Sequence, residues 1–69
     1  MSYAKGDRVT RPEDVFEDGS PLRHGTVVNV RDGTSVIDGV RIYYPELIDV
    51  RWDGEVQVRT YLPHGVTKG

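Results

Sequence analysis

The 69-residue chain has no cysteine and only one tryptophan, one phenylalanine and one methionine. The lack of cysteine excludes a disulfide-stapled miniprotein and a zinc ribbon. No apolar run approaches the roughly 18 to 20 residues that cross a bilayer, and residues 1–10 lack the basic-then-apolar order of a signal peptide. We therefore expect one cytoplasmic domain over residues 1–69, too small for a Rossmann unit or an enzyme with a deep pocket.

The charge balance and the apolar pattern both indicate a folded chain. Nine basic and 11 acidic side chains give a formal net charge of -2, and 36% of the residues are hydrophobic. The valines and aromatics lie in short alternating runs, which a disordered chain does not show. The acidic balance removes the counterion release that drives non-specific nucleic-acid binding, so nucleic acid is a disfavoured partner.

Asp-Gly turns divide the chain into short strands. The dipeptide occurs at 18–19, 32–33, 38–39 and 53–54, and it favours tight turns because glycine reaches positive φ freely. Alternating apolar and polar residues are typical of an antiparallel sheet with one buried face. The pattern predicts strands over 6–11, 25–31, 35–37, 40–44, 47–52 and 55–62, with 33–46 as an inserted hairpin or a long approach to the third strand.

The apolar pattern on the two sides of Asp53-Gly54 predicts how the two strands of this hairpin pair. A three-residue loop or a bulge pairs Val50 with Val58 and Asp49 with Arg59, whereas a two-residue loop would mix polar and apolar residues on one face. We therefore expect an opposite-charge pair on the outer face. The predicted core is Val9, Val27, Val30, Ile48, Val50, Trp52, Val56, Val58 and Leu62.

The predicted fold is an all-β barrel of five to six short antiparallel strands, because closure removes the exposed sheet edges. The chain resembles the SH3-like small barrels of the KOW and Tudor type in three segments. These are Lys-Gly-Asp-Arg-Val at 5–9, Gly-Thr-Val-Val-x-Val at 25–30, and Val-x-Trp-Asp-Gly at 50–54 ahead of Tyr-Leu-Pro at 61–63. The resemblance implies a long first loop over about 12–23, a 3₁₀ turn at 62–65 and a closing strand at 66–67.

The resemblance also implies an interaction module rather than an enzyme. KOW-type members bind RNA or the ribosomal and transcription machinery, and Tudor-type members bind peptides, some through an aromatic cage. Fold alone does not decide between these functions. We expect a protein or peptide partner, no cofactor and no metal, and a monomer or weak homo-oligomer.

Two groups of side chains are candidates for the partner surface. The first loop carries an aromatic ring among four carboxylates, and it can also be a solvated loop. Two adjacent tyrosines lie on a later strand and point to opposite faces, so that one of them can instead fill the core. If they met, the tyrosines and the loop phenylalanine could form a cage for a cationic side chain. The predicted partner-binding residues are Glu13, Asp14, Phe16, Glu17, Asp18, Tyr43 and Tyr44.

The alternative function is nucleic-acid binding by an arginine-bearing sheet face. Arg41, Arg51 and Arg59 could line that face, since arginine suits phosphate. Asp49, Asp53 and Glu55 are interleaved with them, which favours a salt-bridged solvated face instead.

Enzymatic chemistry finds little support. His24 and His64 each precede glycine in a predicted turn, without a second ligand at metal-binding spacing. A remote alternative is the small-barrel tetrameric dihydrofolate reductase of trimethoprim resistance, whose pore carries Val-Gln-Ile-Tyr. Residues 56–59 read Val-Gln-Val-Arg and match only its first two positions.

Overall fold

The computed structural model describes residues 3–69, which form one antiparallel sheet of five strands. The strands are β1 (Arg8–Thr10), β2 (Gly25–Ile37), β3 (Val40–Trp52), β4 (Val58–Tyr61) and β5 (Thr67–Lys68), with a 3₁₀ turn at Pro63–Gly65. Their order across the sheet is β4-β3-β2-β1-β5. The predicted all-β class with five antiparallel strands is confirmed.

The sheet is open, so the predicted closed barrel is not confirmed. Strands β4 and β5 lie at opposite ends of the strand order, and within residues 3–69 no ladder joins them. Both end strands are short, since β4 has four residues and β5 has two. Short edges offer little backbone for pairing with other chains.

Strands β2 and β3 are each 13 residues long and form one continuous hairpin. The predicted separate strands at 25–31 and 35–37 join into β2, and those at 40–44 and 47–52 join into β3. The predicted turn at Asp38-Gly39 is confirmed, with Ile37 paired to Val40. Asp38 and Gly39 have φ of 51° and 77°, as a two-residue type I′ turn requires.

Two register shifts bend this hairpin. At the second one, the pairing changes from Arg31 with Leu47 to Gly33 with Tyr44, so that residues 45 and 46 lie opposite residue 32 alone. This is the geometry of a β-bulge. Position 45 is proline, which has no N–H for the ladder and is tolerated in strands at such bulges.

Residues 32–46, which we call the arm, extend beyond the rest of the sheet. Strand β1 pairs with β2 only at Gly25 and Thr26, and β4 pairs with β3 only from Ile48 to Arg51. The molecule measures 42 × 25 × 24 Å, and its radius of gyration is 13.3 Å, against about 11 Å for a compact domain of this length.

The core lies at the crossing of β1, β2 and β3. It contains Val9, Val27, Ile48, Val50, Trp52 and Val66, with Tyr3, Val30 and Tyr61 packed against it. Five of the predicted core residues are confirmed, while Val30 and Leu62 are only half-buried. Val66 follows the 3₁₀ turn and was not among the predicted residues.

The predicted β3–β4 register is wrong by one residue. Val50 pairs with Arg59 and Arg51 with Val58, so the connection is one residue longer than predicted. Consequently Val56 is 92% exposed and Val58 is 51% exposed, and neither belongs to the core.

The aromatic pair Trp52 and Tyr61 explains this register. The two rings meet edge to face with centroids 5.9 Å apart, and the indole Nε1 donates to the Tyr61 hydroxyl at 2.9 Å. Tyr61 therefore fills the edge of the core where valines were predicted. An aromatic edge contact of this kind contributes about 0.5–1.5 kcal/mol beyond its buried area.

The predicted Asp49–Arg59 pair is also wrong, because the register brings Asp49 opposite Thr60. The Asp49 carboxylate instead accepts hydrogen bonds from Arg31 Nε at 3.0 Å and from the Thr60 hydroxyl at 2.6 Å. The Arg31 guanidinium and, to a smaller extent, the Thr60 hydroxyl lower the pKa of Asp49. Arg59 lies 3.7 Å from Glu55.

Replacing Gly25 with alanine should destabilise the fold. A Cβ at this position would lie 2.7 Å from both Trp52 Cε3 and Val50 Cγ1, and 3.2 Å from the Arg51 carbonyl oxygen. Because side chains and backbone would both have to shift, Gly25→Ala should cost about 1–3 kcal/mol of unfolding free energy. Urea unfolding followed by tryptophan fluorescence measures this cost.

Gly65→Ala is the matched control. The nearest atom to a Cβ at position 65 is Tyr61 Cβ at 3.7 Å, an ordinary contact. Its unfolding free energy should stay within about 0.5 kcal/mol of the original. Equal stability of the two variants would contradict the close packing at Gly25.

Candidate functional site

The β1–β2 connection contains a small hydrogen-bonded hairpin over residues 14–22, which we call the loop hairpin. Val15 and Pro21 form an isolated β-bridge. The Phe16 N–H donates to the Ser20 carbonyl at 2.8 Å, and the Gly19 N–H donates to the Phe16 carbonyl at 2.9 Å. Gly19 has φ of 86°, which glycine adopts without strain. The long first loop predicted from the sequence is therefore ordered.

The loop hairpin presents apolar side chains to solvent. Phe16 is 55% exposed at the start of the turn, and Val15 and Leu22 are also exposed. The N–H and the carbonyl of Phe16 are both hydrogen-bonded, so the backbone that carries the ring is fixed. A partner that binds there does not have to order this backbone, which lowers the entropic cost of binding.

Two arginines attach the loop to the sheet. The Arg23 guanidinium lies 4.5 Å from the centroid of the Trp52 ring and donates to Asp14 and Glu55, each at 3.3 Å. Arg11 lies 4.9 Å from the centroid of the Tyr61 ring. Planar guanidinium groups stack on aromatic faces while their N–H groups bind carboxylates. The sequence prediction missed both arginines, although their positions at the two ends of an acidic loop are a signal for this role.

The four predicted acidic residues form two pairs that differ in their contacts. The inner pair is Glu13 and Asp14, and both bind arginines: Glu13 pairs with Arg11, and Asp14 pairs with Arg23. Asp18 accepts hydrogen bonds from the hydroxyl and the N–H of Ser20, which lower its pKa. In the described residues 3–69, Glu17 and Asp18 have no ion-pair partner. Of the four, only the outer pair, Glu17 and Asp18, carries charges that no arginine of the described residues opposes.

The two predicted tyrosines lie on the arm and point to opposite faces of it. Tyr43 is 59% exposed, and its hydroxyl donates to Asp32 Oδ2 at 3.0 Å, which raises the pKa of Tyr43. Tyr44 is half-buried, and its hydroxyl lies 3.5 Å from the Ser35 hydroxyl oxygen.

The structure separates these tyrosines from the loop hairpin. The loop is attached beside Trp52, and Tyr43 is nine residues earlier on the same strand. At about 3.3 Å per residue, this separation is roughly 30 Å. Phe16, Tyr43 and Tyr44 therefore do not meet, and the arrangement offers no aromatic cage built from them.

The three arginines of the alternative prediction do not share a face. Arg51 pairs with Val58, and Arg59 pairs with the neighbouring Val50, so these two arginines point to opposite faces of the sheet. Arg41 pairs with Val36 on the arm, ten residues from Arg51 along β3. No common phosphate-binding surface results from this register.

The outer face of the sheet carries paired charges. Arg8 binds the Asp53 carboxylate through two hydrogen bonds at 3.0 and 2.6 Å, and Arg31 binds Asp49. The Arg8 guanidinium lowers the pKa of Asp53. Arg8 and Arg31 therefore have their charges opposed by carboxylates, whereas Arg51 on the same face has no ion-pair partner within residues 3–69.

Other sites for chemistry are scarce in the described part of the chain. An open hollow of about 330 Å³ lies at residues 51–56, beside the β3–β4 connection. Across residues 3–69, no three histidine, aspartate or glutamate side chains converge on a common metal position. The same residues contain no helix with the length and apolarity to cross a membrane.

Comparisons with models of known protein families, with curated proteins and with solved structures find no match.

Removing the Arg23 side chain should loosen the loop hairpin. Arg23→Ala eliminates the stack on Trp52 and both ion pairs, so Trp52 becomes more exposed to water. We expect red-shifted tryptophan emission, a loss of about 1 kcal/mol in stability, and faster cleavage after Glu17 by a glutamate-specific protease.

Arg51→Ala removes an exposed arginine outside the loop and serves as the control. Its emission maximum and cleavage rate should match those of the original protein. If Arg23→Ala also leaves both readouts unchanged, the loop hairpin does not depend on this anchor.

Proposed function

We propose that this chain is a non-enzymatic interaction module of the SH3-like small-barrel type, and that it binds a protein or peptide partner through the loop hairpin. The long β1–β2 connection and the 3₁₀ turn before the last strand support this fold type. Both are features that the resemblance to the KOW and Tudor type implies.

The ordered exposure of Phe16 is the observation that supports binding best. The ring is 55% exposed on a backbone fixed by hydrogen bonds, with Val15 and Leu22 exposed nearby. Exposed apolar groups held in one place are typical of interaction surfaces. Aromatic side chains that enter a partner's pocket contribute much of the binding energy in protein complexes.

The charges around Phe16 define the chemistry of the partner. Glu17 and Asp18 follow the ring directly, while Glu13 and Asp14 are occupied by arginines. A complementary surface would carry an apolar pocket with lysine or arginine at its rim. Such charges accelerate association and exclude acidic partners, and salt weakens their effect.

Selection from a displayed library of random peptides tests this proposal, because it requires no candidate partner. The immobilised protein should enrich peptides that combine apolar residues with lysine or arginine. Phe16→Ala should weaken binding of the enriched peptides at least about tenfold, as the loss of an aromatic anchor does. Glu17→Lys with Asp18→Lys should weaken it further.

Val56→Ala is the matched control, because Val56 is apolar and 92% exposed but lies outside the loop. Peptides that bind all variants equally would refute the loop hairpin as the binding site. Salt-dependent retention of the protein on heparin or RNA, without peptide enrichment, would favour the nucleic-acid alternative instead.

A further inference from the structure

The arm carries a second exposed surface. Thr34 pairs with Tyr43, and Val36 pairs with Arg41. Cross-strand partners share a face, and alternate residues along a strand share it too, so these four side chains lie together. The hydrogen bond from Tyr43 to Asp32 places Asp32 beside them. We call these five residues the tyrosine face.

The tyrosine face has no covering element within residues 3–69. Val36 is 66% exposed and Tyr43 is 59% exposed. Beyond the sheet the arm is a two-stranded ribbon, which is marginally stable in water without further packing. On the opposite face Ile42 and Tyr44 are half-buried, while Ile37 and Val40 near the tip are exposed. The tyrosine face differs from it by carrying charged side chains of both signs, which can select a partner.

The tyrosine face carries one positive and one negative side chain, so that it can be complementary in charge to a second copy of the same face. Arg41 lies two residues nearer the tip of the arm than Tyr43, and Asp32 lies two residues nearer the base than Thr34. Within the described residues, neither Arg41 nor Asp32 has an ion-pair partner. Arg41 and Asp32 thus lie on opposite sides of the Thr34–Tyr43 pair, each roughly 7 Å from it along the strands.

We propose that a second copy of this chain packs on the tyrosine face, with the two arms antiparallel and a two-fold axis through the Thr34–Tyr43 pair. A two-fold axis brings each position onto its symmetric counterpart, so Arg41 of each copy meets Asp32 of the other. Val36 and Tyr43 of both copies fill the centre. This surface is separate from the loop hairpin and does not rest on the proposed partner-binding function.

The dimer should be weak and sensitive to salt. One face of a two-stranded ribbon is smaller than the roughly 800 Å² per partner of a standard interface, so a dissociation constant of roughly 10–1000 µM is expected. The two ion pairs are at the rim and are screened by added salt.

Exchange of the two charges tests the proposal by analytical ultracentrifugation. Asp32→Arg and Arg41→Asp should each weaken self-association at least about tenfold, because each places like charges together. An equimolar mixture of the two variants should associate as a heterodimer, since every cross-copy pair is then opposite in charge. The variant with both changes should recover self-association for the same reason.

Arg51→Asp is the matched control, since it makes the same change on the same strand outside the arm. It should self-associate like the original protein. Circular dichroism checks that each variant is folded; Asp32→Asn and Arg41→Gln replace any charge reversal that unfolds, with a smaller loss of about threefold expected.

Three results would overturn the proposal. The first is an original protein that stays monomeric at about 1 mM, where even the weakest expected dimer would hold roughly half of the chains. The second is a mixture of Asp32→Arg and Arg41→Asp that associates no better than its components. The third is an equal loss of association in Arg51→Asp. None of these results affects peptide binding by the loop hairpin.

Discussion

The packing of Trp52 against Gly25 is the contact on which the rest of this structure depends. Gly25 pairs with Val9 of β1 on one side and with Trp52 of β3 on the other. There is no room for a Cβ at position 25, because the indole ring and the Val50 side chain occupy that space. Because Gly25 has no side chain, strands β1, β2 and β3 can approach one another closely at Trp52. The buried valines surround this point.

Further parts of the molecule are attached to the same tryptophan. Its Nε1 donates to Tyr61, which fixes the β3–β4 register, and Arg23 stacks on its ring, which holds the loop hairpin. A chain of 69 residues has little core to distribute among separate elements. One large side chain serves the core, the edge strand and the loop together, which explains how a long first loop stays ordered in so small a protein.

The sequence was informative where local rules decide the structure. The turn at Asp38-Gly39 follows from positive φ, and the alternation of Ile48, Val50 and Trp52 correctly assigns the buried face of β3. It was misleading at the edge strand, where alternation of Val56 and Val58 predicted burial. There the long-range contact between Trp52 and Tyr61 sets the register, and no local pattern reveals it. Val66 was missed for the same reason.

The sequence identified the residues of the candidate surfaces but not where these residues lie relative to one another in the fold. Phe16 with its acidic neighbours, and Tyr43 with Tyr44, were both identified from composition. Their separation along β3 could not be predicted, because it depends on whether residues 33–46 continue the hairpin or fold back on the sheet. In the structure, the pairing of β2 with β3 resumes beyond the bulge at Pro45, so these residues continue the hairpin. The molecule therefore carries two distinct exposed surfaces, the loop hairpin near Trp52 and the arm at the far end of β3.

Hydrogen exchange of the indole N–H tests this account most directly, since the single tryptophan gives one resonance that needs no further assignment. With Nε1 buried and bonded to Tyr61, its proton should exchange only through global unfolding, at a rate that follows the unfolding free energy under denaturant. Exchange as fast as in an unfolded peptide, while the chain stays folded, would contradict the central position of Trp52.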